Sequence, residues 1–150
     1  MIKDYREIRE VVMQYVNGCA AGDVELAKKA FHKDAVMYGY LNGELSAGSI
    51  ENLYAAIGQL GADAGTKAEV DILEAVGTAA TVRVVLENWH GLSITDFHSL
   101  VKIDGRWTIV ANIFHQKADA ISSCAMARSA PVGALFFACS CRKETAPHHT

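Results

Sequence analysis

The second half of the chain consists of four strand-like segments separated by two-residue turns. The segments cover residues 67–76, 79–89, 92–103 and 106–115, and the dipeptides between them are Gly77-Thr78, His90-Gly91 and Asp104-Gly105. Such dipeptides suit the tight turns between antiparallel neighbours, whereas a parallel crossover needs about a dozen residues. The sequence therefore predicts an antiparallel meander of four strands.

The first half of the chain predicts helices and a short hairpin. Apolar residues recur at helical spacing over residues 5–19, and a second helical pattern follows Asp23, whose side chain can cap a helix. Asn42-Gly43 is typical of a two-residue hairpin turn, and a third helix is expected after Ser49. Helices followed by a meander predict an α+β domain, with the helices packed on one face of a curved antiparallel sheet.

Composition limits the classes of protein that this chain can form. With 150 residues, 51% of them hydrophobic and 21% charged, the chain can bury the core of a globular domain. Its 14 Lys and Arg are scattered and the net charge is −3, which predicts no nucleic-acid partner. No stretch approaches the roughly 20 apolar residues of a membrane span and no apolar leader is evident, so we expect a cytoplasmic protein without a membrane partner.

The composition changes after residue 116. Residues 117–150 hold both prolines of the chain and three of its four cysteines, at positions 124, 139 and 141. We expect a domain over residues 1–116 and a C-terminal extension over 117–150 that is partly docked or disordered. The Cys and His residues lack the paired spacing of metal ligands, so no metal site is predicted.

Four short motifs carry a resemblance to a known family. The order of elements resembles the nuclear transport factor 2-like superfamily over about residues 3–116, and two of the motifs look most like its SnoaL-like, lumazine-binding-like group. The motifs are Phe31-His32-Lys33-Asp34-Ala35-Val36, Asp104-Gly105-Arg106-Trp107-Thr108-Ile109-Val110, Tyr40-Leu41-Asn42-Gly43 and Asn112-Ile113-Phe114-His115, of which the last two point to the group.

The resemblance implies a fold more specifically than it implies a function. In this superfamily a bent sheet and the first helices form a cone-shaped, cystatin-like roll around a cavity, often in a homodimer packed through the sheet. Members include polyketide cyclases, ketosteroid isomerase, scytalone dehydratase, limonene epoxide hydrolase and noncatalytic binding modules. A shared fold therefore does not fix the chemistry.

Asp96, His98 and Asn112 are the candidate catalytic residues. Asp96 and His98 lie two apart on one strand, so their side chains share a face about 7 Å apart and could serve one substrate as acid and base. The alternative is a solvated Asp96 and a hydrogen-bonded, partly buried His98. Resemblance to the epoxide hydrolases directs Asn112 toward the cavity, where an amide replaces their acid and can orient an oxygen without acting as a base.

Six further residues are candidates for contact with a small apolar or aromatic ligand. Aromatic side chains can stack on a flat ring and can also donate hydrogen bonds, although at helical or strand spacing they usually belong to the core. The candidates are Tyr15, Met37, Tyr38, Tyr54, Trp89 and Phe114.

Three functions remain open at this point. The first is a cofactor-free isomerase, dehydratase or cyclase in which His98 or Asp96 transfers a proton while Asn112 and a tyrosine such as Tyr38 position the charged oxygen. The second is a noncatalytic ligand-binding module. The third is an assembly domain that uses an exposed sheet face and has a filled cavity.

Overall fold

The computed structural model describes residues 1–118, which form three helices and six strands. The helices are α1 (Ile2–Ala21), α2 (Val24–Lys28) and α3 (Glu51–Leu60). The strands are β1 (Phe31–Leu41), β2 (Glu44–Ser49), β3 (Lys67–Val76), β4 (Ala79–Trp89), β5 (Leu92–Ile103) and β6 (Arg106–Gln116). The predicted α+β class and the order of elements are confirmed.

The six strands form one curved, unclosed sheet in the order β2-β1-β6-β5-β4-β3. The meander from β3 to β6 is antiparallel, as its two-residue turns predict, and the hairpin β1–β2 is antiparallel too. The pair β1–β6 is parallel, which differs from the expected all-antiparallel sheet. This arrangement is possible because α3 and four strands lie between β1 and β6 in sequence, which is long enough for a crossover.

The hairpin turns have the backbone geometry that their residue types favour. Asn42 and Gly43 have φ of 51° and 82°, and Asp104 and Gly105 have φ of 50° and 77°. Two consecutive positive φ angles match the twist of antiparallel strands, and Asn, Asp and Gly tolerate them best. The turns therefore fix the register of the strands on either side.

Helix α1 lies against the inner face of the sheet through one apolar stripe. Its buried residues Ile8, Val12, Tyr15 and Cys19 recur at intervals of three or four, which aligns them on one side of the helix. The chain then turns through α2, where the Asp23 carboxylate accepts a hydrogen bond from the Leu26 backbone N–H at 3.1 Å. The predicted cap of the second helix is confirmed.

The core is apolar except for one group of polar side chains. Alternate residues of β4, β5 and β6 point inward and pack against α1, and most of them are aliphatic or aromatic. Within residues 1–118, the buried polar residues are Asp96, His98 and Asn112, each at most 1% exposed. Burying polar groups is unfavourable unless they are paired, so this group marks the place where function is expected.

Two further predictions concern the C-terminal extension and the absence of a membrane span. The proposed extension over 117–150 lies, apart from residues 117 and 118, outside the described residues, and the domain boundary stays a prediction. None of the three helices is long and apolar enough to cross a membrane.

Candidate active site

Asp96 lies at the centre of the buried polar group and receives a hydrogen bond on each carboxylate oxygen. The Tyr15 hydroxyl, from α1, donates to Oδ2 at 2.6 Å, and the Asn112 side-chain amide, from β6, donates to Oδ1 at 3.0 Å. Bonds of this length to an ionised oxygen are the strong, charge-assisted kind. Helix and sheet therefore hold the carboxylate from two sides, and each oxygen keeps a second lone pair for another proton.

Burial gives this carboxyl group an unusual acidity. Loss of hydration disfavours the charged form and raises the pKa of Asp96 from 3.8 to about 6, although the bonds from Tyr15 and Asn112 act in the opposite direction. With that pKa, the group is mostly ionised at neutral pH and is still a far stronger base than an exposed aspartate. A pKa just below the working pH suits a general base.

Tyr15 remains a hydrogen-bond donor over the whole physiological pH range. Burial, followed by the negative charge of Asp96, raises the pKa of its phenol well above 10. The hydroxyl proton therefore stays on Tyr15 and points to the carboxylate.

His98 is buried beside Asp96 without forming a hydrogen bond to it. The Nε2 atom is 4.0 Å from Asp96 Oδ2, and neither ring nitrogen has a hydrogen-bond partner within residues 1–118. Its ring lies against Tyr15 and Phe31, with centroid separations of 4.8 and 5.9 Å. Burial lowers the pKa of His98 to about 3, so the imidazole is neutral at physiological pH.

The positions of Asp96 and His98 contradict the alternative of a solvated Asp96 beside a hydrogen-bonded His98. A solvated Asp96 is wrong, because the side chain is 1% exposed. A hydrogen-bonded His98 is wrong for the described part of the chain, because neither ring nitrogen has a partner within residues 1–118. The shared face of Asp96 and His98 is confirmed by their inward positions on β5.

A small apolar cavity adjoins the Asp96 carboxylate, between α1, α3 and the sheet. The cavity offers about 20 Å³ to the centres of water-sized molecules, close to the ~10–15 Å³ that a single water requires. A flat ring does not fit without movement of the wall. The residues that line the cavity are Tyr15, Met37, Leu41, Leu53, Ala56, Trp89, Leu92, Ile94, Asp96 and Phe114.

The structure brings together most, but not all, of the residues singled out from the sequence. Tyr15, Met37, Trp89 and Phe114 line the cavity with Asp96, and Asn112 reaches the carboxylate from behind the wall. Tyr38 does not join them, because Met37 and Gly39 on either side of it occupy the buried face of β1 and its own side chain, 42% exposed, points outward.

Tyr54 and His98 lie in the core without lining the cavity. Tyr54 packs edge-on against Phe31, with ring centroids 6.2 Å apart. The aliphatic wall, which includes Leu41 and Leu53, was not identified from the sequence, although the inward alternation of β1 and the apolar face of α3 carried the signal.

Two packing details shape the cavity wall. Phe114 lies directly over Gly39 of the parallel neighbour β1, so that a Cβ at this glycine would be only 2.6 Å from two atoms of the ring. The Trp89 indole N–H donates to the Cys19 carbonyl at 3.1 Å, which ties the end of α1 to β4. Both aromatic rings are thereby fixed against the cavity.

No candidate metal centre accompanies the site in the described part of the chain. Within residues 1–118, no three His, Cys, Asp or Glu side chains come together closely enough to hold an ion. Among the described residues that line the cavity, Asp96 supplies the carboxylate and the others are apolar or aromatic.

A curved, unclosed sheet over N-terminal helices is the architecture of the nuclear transport factor 2-like class of domain. The model of the family described as "Putative lumazine-binding" matches residues 3–115. The chain belongs to this family, which confirms the resemblance found in its motifs.

Comparison with individual proteins gives the same class. "Aldolase FrzH" from Cladobotryum sp is 37% identical over 113 residues, which cover 75% of this chain and 90% of that protein. A solved nuclear transport factor 2-like protein of unknown function from Methylobacillus flagellatus is 37% identical, with a TM-score of 0.75 over 79% of this chain and 95% of its own. Another from Shewanella baltica is 30% identical, with a TM-score of 0.75 over 79% and 98% of the two chains.

Proposed function

We propose that this protein binds a small apolar carbonyl compound and moves a proton at the carbon next to the carbonyl group, with Asp96 as the general base. One observation carries the proposal: a buried carboxylate, with a pKa raised to about 6, faces an apolar cavity. Such a group is ionised at neutral pH yet poorly hydrated, which favours acceptance of a proton from a weak carbon acid.

The proposed proton transfer forms an enolate. Asp96 takes the proton from the carbon, the electron pair of that C–H bond forms a C=C bond, and the carbonyl π electrons move onto oxygen to give an enolate. Return of the proton to another carbon would complete an isomerisation. Attack of the enolate carbon on a second carbonyl group, whose oxygen then takes the proton back from Asp96, would complete an aldol addition. Loss of a hydroxide, protonated by the same acid, would complete a dehydration.

Tyr15 and Asn112 are positioning residues in this proposal. Their hydrogen bonds orient the two oxygens of Asp96, and both bonds favour the ionised form of the group. His98 is less suited to be the base, because burial lowers its pKa to about 3 and its ring does not line the cavity. The acid–base role therefore goes to Asp96 rather than being shared between the two residues.

The similarity to an aldolase supports this chemistry. An aldol addition begins with loss of a proton next to a carbonyl group, which is the step proposed for Asp96. The cavity has to enlarge for such a substrate, and Met37 and Leu53 in its wall have several rotatable bonds. We expect ligand entry to involve rearrangement of these side chains.

The test is hydrogen exchange in deuterated water. Purified protein is incubated at pH 8 with a panel of small aldehydes and ketones, and loss of the proton signal next to the carbonyl is followed by NMR. At least one uncharged ketone is expected to exchange more than 100-fold faster with protein than in buffer, within the range of general base catalysis. Binding without exchange would favour the noncatalytic module. The absence of both binding and exchange would overturn the proposal.

A homodimer packed through the sheet is the second part of the proposal. Phe97, Ile113 and Tyr38 stand side by side on the outer face of β5, β6 and β1, and each is more than 40% exposed. The outward positions of β5 from Ser93 to Val101 carry no charge. A two-fold interface brings a surface against itself, so an uncharged apolar face suits a second copy of this chain.

Ile113→Glu is therefore expected to give a monomer, because two carboxylates would be buried near the dimer axis. Light scattering coupled to size exclusion measures the mass of wild type and variant. Leu73→Glu is the control and should stay dimeric. Leu73 is an apolar residue on β3 that is 46% exposed. A monomeric wild type at high micromolar concentration would refute the interface.

A further inference from the structure

The charges around the cavity indicate which carbonyl compounds it admits. Asp96 is the charged residue among those that line it. Nearby His98 is neutral at physiological pH because burial lowers its pKa to about 3. The polar hydrogens of the wall are already in use, since the Tyr15 hydroxyl donates to Asp96 and the Trp89 indole donates to the Cys19 carbonyl.

We infer that Asp96 also acts as a charge filter, so that the part of the substrate held in the cavity carries no negative charge. This inference rests on the proposed function, because it names the substrate class of the same site. That class is uncharged aldehydes and ketones, and it excludes keto acids and phosphorylated carbonyl compounds. A carboxylate or phosphate would lie within a few ångströms of the Asp96 charge, inside apolar walls, and the lining residues within 1–118 include no cation to balance it. Repulsion of like charges is strong where water is excluded.

The filter and the base are the same group, which makes the selectivity dependent on pH. Above a pH of about 6 the carboxyl is ionised and repels an anionic ligand. Below that pH it is protonated, and the repulsion disappears. A ligand that is an anion at both pH values therefore reports the charge of Asp96 directly.

A matched pair of probes tests this without relying on turnover. Benzylacetone is an uncharged methyl ketone, and the corresponding keto acid has a carboxylate in place of its methyl group. Calorimetry at pH 8 is expected to show that wild type binds benzylacetone at least tenfold more tightly than the keto acid. At pH 5 the ratio of the two dissociation constants should fall at least threefold, because Asp96 is then protonated.

Asp96→Asn supplies the decisive variant, since it removes the charge and keeps the size of the side chain. In this variant the preference for benzylacetone at pH 8 should fall at least fivefold. Glu87→Gln, which removes a carboxylate from an exposed position of β4, should leave the ratio unchanged. A preference that is the same in Asp96→Asn as in wild type would overturn the filter.

Two other results would also contradict the charge filter. Equal or tighter binding of the keto acid by wild type at pH 8 would overturn the filter even if proton exchange is observed. Absence of benzylacetone binding up to its solubility limit would do the same. If exchange is absent but the charge preference is found and disappears in Asp96→Asn, the filter stands and the proposed catalysis fails, so the two failures are distinguishable.

Discussion

Asp96→Asn is expected to unfold with a free energy about 3 kcal/mol higher than that of wild type at pH 8, and to lose at least 100-fold in proton exchange. The stability gain follows from the pKa of Asp96, which burial raises from 3.8 to about 6. Each pKa unit corresponds to about 1.4 kcal/mol, so keeping this group ionised in the folded protein costs about 3 kcal/mol. The amide has no charge to desolvate and can still accept the hydrogen bond from Tyr15.

The difference in free energy of unfolding between Asp96→Asn and wild type should increase with pH. Between pH 3.8 and about 6 the folded protein binds a proton at Asp96 that the unfolded chain releases, so wild-type stability falls as the pH rises through this window. Above about pH 6 both states are ionised and the loss is complete. The variant has no such group, and its advantage should shrink to less than about 1 kcal/mol at pH 4.

Urea unfolding followed by circular dichroism at pH 4, 6 and 8 measures these differences. Asp104→Asn, in the exposed turn between β5 and β6, is the control, because it makes the same chemical change outside the core. If Asp96→Asn were less stable than wild type at pH 8, the bonds from Tyr15 and Asn112 would outweigh burial, and Asp96 would be too acidic for the proposed role.

Higher stability of Asp96→Asn together with lost proton exchange would also explain why a charged residue is kept in this core. Replacement of a functional buried charge by a neutral residue commonly increases stability and removes activity. Gain of stability together with loss of exchange would be the expected signature of a catalytic Asp96. A purely structural carboxylate would show a change in stability without any exchange activity to lose.

The strand half of the fold was predictable because its information is local. Two-residue turns such as Asp104-Gly105 force antiparallel neighbours, and the period of two along β5 places Asp96 and His98 on the same face. The parallel pairing of β1 with β6 was not predictable in the same way, because no short turn joins these strands and the pairing depends on the whole sheet.

The site was only partly predictable, and the reasons differ from residue to residue. The bond from Tyr15 to Asp96 joins a helix to a strand 81 residues away, and it depends on the angle at which α1 crosses the sheet. Tyr38 could have been excluded from the sequence, because it follows Met37 on one strand and adjacent side chains point to opposite faces. The small cavity volume depends on side-chain rotamers in the wall, which no pattern specifies.

Tyr15→Phe is expected to shift the pH dependence of exchange upward while the maximal rate stays within about tenfold of wild type. The variant removes one hydrogen bond to an ionised carboxylate, worth about 1.5–3 kcal/mol, so the pKa of Asp96 should rise by about one to two units above its present value. Exchange at pH 6.5 should then fall about tenfold, because most of the base is protonated, and recover above pH 8.

This shift separates a residue that acts through Asp96 from one that acts on the substrate. If Tyr15 donated its hydrogen bond to the enolate oxygen instead, its removal would lower exchange at every pH by about 100-fold or more, as for loss of an oxyanion donor. Tyr5→Phe, which removes the hydroxyl of an exposed tyrosine on the same helix, is the control and should leave the profile unchanged. Because the hydroxyl lies 2.6 Å from Asp96 Oδ2, we expect the displaced pH profile and not the uniform loss.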